Sequence, residues 1–168
     1  KFLLKSRHNE NGNDKGGWGL TTFEHDRIYS TWITICCLAQ ILSNHNGWLT
    51  SKQIEEIKNA VQLAKEWLKG SKNSDNGWGT TGSIPSKQSS TSICLITLFL
   101  LGEDPVDYKD SLYYLLKGRK SGLWEVEREI VITKEGYELT QEWFTSAFCF
   151  IALLHFYEKK ATSIDVIY

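Results

Sequence analysis

Apolar positions along this chain follow two patterns. In the first, Ile54, Ile57, Val61, Ala64 and Leu68 recur at three- and four-residue steps among Lys, Glu, Gln and Asn, so a helix would gather them into one stripe that must pack on something. Thr50 followed by Gln53 matches a capping box, and Gly70 stands where a left-handed C-terminal cap is expected, which predicts a helix over about 51–69. A shorter helix of the same kind, about 106–117, starts after Pro105 and ends before Gly118, with Leu112, Leu115 and Leu116 as its apolar set. In the second pattern, segments 27–43, 87–101 and 141–157 are apolar nearly all round, as a helix buried on several sides reads. Alternation of the two kinds predicts an inner and an outer layer. One stretch breaks the helical period: Glu125 to Ile132 alternates, and with Lys134-Glu135-Gly136 before Tyr137 to Thr140 it predicts a β-hairpin over 125–140.

The same unit recurs three times: a helix ending, a polar linker, a Gly-x-Trp or Asn-x-Trp turn, and a Ser/Thr-led apolar helix. The first copy runs from Phe2-Leu3-Leu4 through Gly16-Gly17-Trp18 to Ser30-Thr31 and the helix that follows. The second runs from Trp67-Leu68-Lys69-Gly70 through Asn76-Gly77-Trp78 to Ser90-Thr91. The third runs from Leu115-Leu116-Lys117-Gly118 through Gly122-Leu123-Trp124 to Thr145-Ser146. Trp18 to Thr31 and Trp78 to Thr91 are each thirteen residues; Trp124 to Thr145 is twenty-one, so the third copy carries an insertion of eight, which coincides with the hairpin.

These residues resemble the repeat of the terpenoid-cyclase and protein-prenyltransferase (squalene-cyclase-type) family, in which an aromatic-Leu pair is followed by Gln and then Gly-x-Trp. Trp67-Leu68 through Asn76-Gly77-Trp78 has that spacing, with Lys72 in place of the Gln and Asn76 in place of the Gly; no copy has the Gln. The resemblance covers nearly the whole chain. It implies an all-α fold, a partial α/α toroid of helix-pair repeats forming about half a ring, with the hairpin as an insertion. It also implies that Trp18, Trp78 and Trp124 are structural repeat turns locking outer to inner helices. Residues 1–168 then form one toroid-like repeat domain, cut from a longer chain, since Lys1 begins in mid-helix. A half ring leaves apolar repeat faces at its ends, Phe2, Leu3 and Leu4 among them, which implies a protein partner or a homodimer.

The catalytic elements of that family are absent. No Asp-x-Asp-Asp motif occurs to protonate a polyene, and no Asp-Asp-x-x-Asp to hold magnesium and diphosphate. Asp104, Asp107 and Asp110 surround Pro105 at a helix start and read as capping residues. Asp-x-Cys, part of the family's zinc site, does not occur either. Cys36, Cys94 and Cys149 follow the aligned Thr by five, three and four residues, so a thiolate site is conceivable, but small thiols filling helix contacts are the commoner use. His8, His25 and His45 lie in polar loops and His155 on an apolar helix, none with a partner at ligand spacing. No metal site and no cofactor is expected. Tyr29, Trp32, Phe99, Trp143, Phe148 and Phe156 on the inner helices are the remaining candidates. The resemblance implies that such rings line a cavity; core packing is the plainer reading. Glu125, Glu127 and Glu129 share one face of the alternating strand, which is more often solvated than metal-binding.

Composition narrows the partners. A formal charge of -1 from 19 basic and 20 acidic residues offers no field for nucleic acid or an anionic membrane. Apolar residues at 41% and charged ones at 23% fit a folded globular chain. The run from Ile28 to Asn44 holds too many polar residues to span a membrane. Four cysteines within apolar stretches, without CxxC spacing, fit a reducing, cytoplasmic setting. The expectation is a non-catalytic repeat domain that binds a protein partner or an apolar ligand. The alternative is a fragment of a terpenoid-cyclase-like or prenyltransferase enzyme whose catalytic residues lie outside these 168.

Overall fold

The structure is a computed structural model in which residues 4, 16–19, 27–81, 85–125, 130–131, 138–139 and 144–164 are described. It is mostly helical. The longer helices are α1 (Ile28–Ser43), α2 (Ser51–Gly70), α3 (Gln88–Leu100), α4 (Lys109–Lys117) and α5 (Phe144–Ile164), with a 3-10 turn at Pro105–Tyr108 leading into α4. Two small antiparallel pairs accompany them, β1 (Arg119–Lys120) with β2 (Leu123–Trp124) and β3 (Ile130–Val131) with β4 (Glu138–Leu139).

Local chemistry sets most of these boundaries. The Thr50 hydroxyl accepts the Gln53 amide at 3.3 Å while the Gln53 side chain accepts the Thr50 amide at 2.9 Å, the reciprocal pairing of a capping box. Asp104 accepts from the Val106 amide at 3.0 Å ahead of Pro105, which is the capping role expected of it. Gly70 differs from expectation. It is the last helical residue and not a left-handed cap, because Ser71 closes the helix, its amide and hydroxyl both donating to the Trp67 carbonyl at 2.9 and 2.7 Å.

The packing order is simple. α3 contacts α1 and α5; α2 contacts α1 and α3; α4 contacts α3 and α5. Every residue of α3 from Ser89 to Leu98 is buried, which is why its sequence is apolar or small on all sides. α2 buries Ile57, Ala60, Ala64, Trp67 and Leu68, an amphipathic stripe matching the expected one apart from Ile54 and Val61, which are half-buried. Two buried hydroxyls of α1 and α3 bond within their own helices: Thr34 donates to the Ser30 carbonyl at 2.9 Å and Thr97 to that of Ile93 at 2.7 Å.

A polar tie joins α2 to the turn after α3. Lys65 lies 2.6 Å and Lys69 2.8 Å from the Glu103 carboxylate, and the Tyr108 hydroxyl donates to Glu103 Oε2 at 2.8 Å. Hydrogen bonds from Lys65 and Lys69 pull the Glu103 carboxyl down to about 2 from the usual 4.5, while burial, reinforced by the bond to Glu103, raises the Tyr108 hydroxyl. A depressed carboxylate stabilises the fold fully above its unfolded value and less as it is protonated. The contribution is therefore present above pH 4.5 and lost as pH falls toward 2. Glu103→Gln is expected to lower stability by about 1 kcal/mol at neutral pH, as partly screened ion pairs do, and by less at pH 3. Urea titrations at the two pH values check this; an equal loss at both contradicts it.

Candidate functional site

Three turns carry the same construction. The residue two before each tryptophan has positive φ: Gly16 at 129°, Asn76 at 68° and Gly122 at 93°. Glycine adopts such angles freely and asparagine is the side chain that tolerates the left-handed region best, which explains why Asn76 can stand where the other copies have glycine. Each tryptophan's amide then donates to a hydroxyl on the following helix: Trp18 to Thr31 at 2.9 Å, Trp78 to Thr91 at 2.9 Å, and Trp124 to Ser146 at 3.1 Å. All three indoles are buried, at 3%, 0% and 3% exposure.

The tryptophan carbonyl is used as well. It accepts from an amide just ahead of the next helix, Trp18 from Arg27 at 3.0 Å and Trp78 from Lys87 at 2.9 Å. The indole N–H reaches the other way. Trp78 Nε1 donates to the Leu68 carbonyl and Trp124 Nε1 to that of Leu115, both at 2.6 Å. Those carbonyls sit in the last turns of α2 and α4, where a helix leaves carbonyls without internal partners. The Trp78 and Trp124 rings thus each cap one helix while their backbone is clasped by the next. Asn76→Gly is expected to change stability by only a few tenths of a kcal/mol, and Asn76→Ala to cost about 1 kcal/mol, the usual cost of the left-handed region for a residue with a Cβ. Thermal melts of the two variants check this.

Ser146 corrects the sequence alignment. The clasping hydroxyl is twenty-two residues after Trp124, against thirteen in the other copies, so the insertion is nine residues and Thr145, buried beside it, is not the equivalent of Thr31 and Thr91. In this register Cys94 and Cys149 both follow the clasping hydroxyl by three residues, where the first copy has Thr34; only Cys36 is offset differently. Cys94, Cys149 and Thr34 are all buried at helix contacts, and Cys149 Sγ lies 3.8 Å from the Gln88 carbonyl at the start of α3. Burial pushes the Cys94 thiol well above its ordinary range, as expected of a packing residue. Among the described residues no group of three or more His, Cys, Asp and Glu side chains is placed to hold a metal.

The candidate aromatic residues divide. Tyr29 and Trp32 of α1 meet Phe144 and Phe148 of α5: ring centroids are 5.5 Å apart for Tyr29 and Trp32, 6.1 Å for Tyr29 and Phe144, 5.3 Å for Trp32 and Phe148, and 4.5 Å for Phe144 and Phe148. These four half-buried rings close across α3. At the positions on α3 equivalent to Tyr29 and Trp32, two before and one after the clasping hydroxyl, stand Ser89 and Ser92, both fully buried. Small residues in the middle helix leave room for rings from its two neighbours to touch. Phe99 is not part of this cluster; it lies between Tyr108 at 6.0 Å and His155 at 6.2 Å. Phe156 is half-buried against the core. Trp143, His8, His25, Phe2 and Leu3 lie outside the described residues, as do Glu127 and Glu129, while Glu125 is exposed beside Lys120.

Sequence reading missed Phe144 and aligned Thr145 in place of Ser146, although Phe144 is two residues ahead of Ser146 as Tyr29 is ahead of Thr31. It also missed the pair β1–β2, whose two-residue loop Ser121-Gly122 has positive φ at both positions, 51° and 93°; this is the hairpin turn whose signal is a Ser-Gly dipeptide between strands. Neither a family model nor a curated protein sequence matches the chain. Among the described residues no helix is long and apolar enough to cross a membrane.

Proposed function

We propose that the chain is a non-catalytic helical-repeat module of the α/α toroid type, related to the terpenoid-cyclase and prenyltransferase repeats, that binds an apolar ligand or protein segment on its aromatic face. The threefold turn, with its positive-φ residue, buried tryptophan and clasping hydroxyl, supports the repeat reading. One observation carries the binding reading: Tyr29, Trp32, Phe144 and Phe148 form a continuous, half-buried aromatic surface from two separate helices, and such surfaces contribute to recognition mainly through the apolar area they cover. A cytoplasmic location goes with this reading, since no disulfide joins Cys36, Cys37, Cys94 and Cys149.

Titration with farnesol, a long isoprenoid alcohol, tests it through tryptophan fluorescence. The expected result is saturable binding, weakened about tenfold by Phe148→Ala, the loss that removing one packed ring from a site implies, and stripped of most of its signal in Trp32→Phe. Binding that never saturates, or that Phe148→Ala leaves unchanged, would sink the assignment to this face. Incubation with squalene, or with farnesyl diphosphate and a thiol acceptor, tests the non-catalytic part, and turnover in either would overturn it.

A further inference from the structure

Among the described residues, none covers the outer face of α5. Buried Thr145, Cys149 and Ala152 define the side of α5 that meets α3; Phe150, Ile151, Leu154 and Tyr157, spaced along the opposite side, are 49%, 42%, 52% and 71% exposed. Counted from the clasping hydroxyl, Phe150 and Ile151 of α5 correspond to Leu95 and Ile96 of α3, which are 0% and 5% exposed, and Phe150 corresponds also to Ile35 of α1, at 2%. α5 thus presents to solvent positions that α3 buries.

The patch continues beyond α5. β2 contacts α5, with Trp124 and Phe150 5.1 Å apart edge to face, and its Leu123 is 58% exposed. On α4, Tyr114 points back toward the second turn, where a Cβ on Gly77 would come within 3.0 Å of its ring. Leu116, two residues on and so on the far side of the helix, is 45% exposed. No charged residue among those described interrupts α5 from Phe144 to Tyr157.

We infer that this face pairs two copies of the chain, α5 against α5 across a twofold axis. The six side chains expose on the order of 600 Å² per chain, so that self-pairing buries on the order of 1,200 Å², the lower edge of the standard interface class. At the opposite end of the helix row the described residues offer a smaller surface: Ile33 of α1, at 41%, and Trp48 on the loop after it, at 62%, are its exposed large apolar side chains, with exposed Cys37 and Gln40 beside Ile33. Apolar area concentrated at one end favours a self-complementary contact over a head-to-tail one, since the isologous arrangement places the large patch on itself. The inference stands on α5, α4 and β2 and does not rest on the ligand reading of the aromatic face.

Sedimentation equilibrium on the full 168-residue chain tests it. The expected mass at ~10 μM is twice the 19.3 kDa of one chain. Leu154→Glu is expected to raise the dimer dissociation constant at least ~100-fold, because an unpaired carboxylate would be buried at the contact. Trp48→Glu, at a 62% exposed position on the loop between α1 and α2, is expected to leave it unchanged. Helical circular dichroism matching wild type shows that the Leu154→Glu chain is folded; should it not be, Tyr157→Glu at the most exposed position of the stripe serves in its place. A wild-type monomer, a mass above two chains, or a dimer indifferent to the glutamates overturns the inference.

Discussion

Replacing Trp78 by alanine is expected to destabilise the protein by about 3–5 kcal/mol, the range of aromatic truncations in a packed core. Trp78 has no exposed surface, so its removal leaves a cavity between α2 and α3 that the surrounding backbone cannot fill. The loss is also polar: without the indole N–H, the Leu68 carbonyl in the last turn of α2 gives up a 2.6 Å bond in a buried place. Trp78→Phe separates the two contributions, because it keeps most of the apolar area and removes the donor; about 1–2 kcal/mol is expected for it. Guanidinium unfolding followed by circular dichroism gives both values. A Trp78→Ala variant that unfolds with wild type would show that the ring is not a peg between α2 and α3.

Gly16→Ala is expected to cost about 3 kcal/mol and Gly122→Ala about 1 kcal/mol, although both residues stand two positions before a tryptophan with positive φ. The difference lies in what a Cβ would meet. At Gly16 it would fall 2.4 Å from the Leu63 carbonyl oxygen and 2.9 Å from its carbon, atoms of the α2 backbone that cannot swing aside, and φ of 129° is open to little besides glycine. At Gly122 nothing lies within 4 Å and only the conformational preference is lost. Equal losses in the two variants, measured by thermal unfolding, would mean that the first turn does not press against α2.

The helices were legible because periodicity and capping both spoke for them. Ile57, Ala64 and Leu68 lie on one stripe whatever surrounds the helix, and the Thr50–Gln53 box is a local interaction that needs no tertiary partner. The C-terminal side of α2 was misread at Gly70 because a glycine permits a left-handed cap without requiring one, and the Ser71 hydroxyl offered a competing way to satisfy the Trp67 carbonyl. The three Trp turns were legible as a recurrence, but not their chemistry. Nothing in the sequence distinguishes Thr145 from Ser146 as the clasping hydroxyl across an insertion of unknown geometry, and the choice is made by the phase with which α5 meets α3. Phe144 was overlooked because a ring at a helix start gains its partners, Tyr29 and Phe148, from a helix more than a hundred residues away and from its own next turn. The network at Glu103 depends on bringing Lys65 and Lys69 of α2 to the far end of α3, a tertiary fact that charge spacing alone does not contain.

The account turns on three equivalent buried turns, and amide hydrogen exchange at Trp18, Trp78 and Trp124 tests that most directly. Each of these amides is given to a hydroxyl at 2.9, 2.9 and 3.1 Å beneath a buried ring, outside any helix. All three are therefore expected to exchange at least ~1,000-fold more slowly than the amide of Asn46, exposed in the loop between α1 and α2, opening only with the unfolding of the helices they join. Exchange at loop rates at any one of the three would contradict the account, because that turn would then not be clasped and the repeat would not be built in the same way throughout the chain.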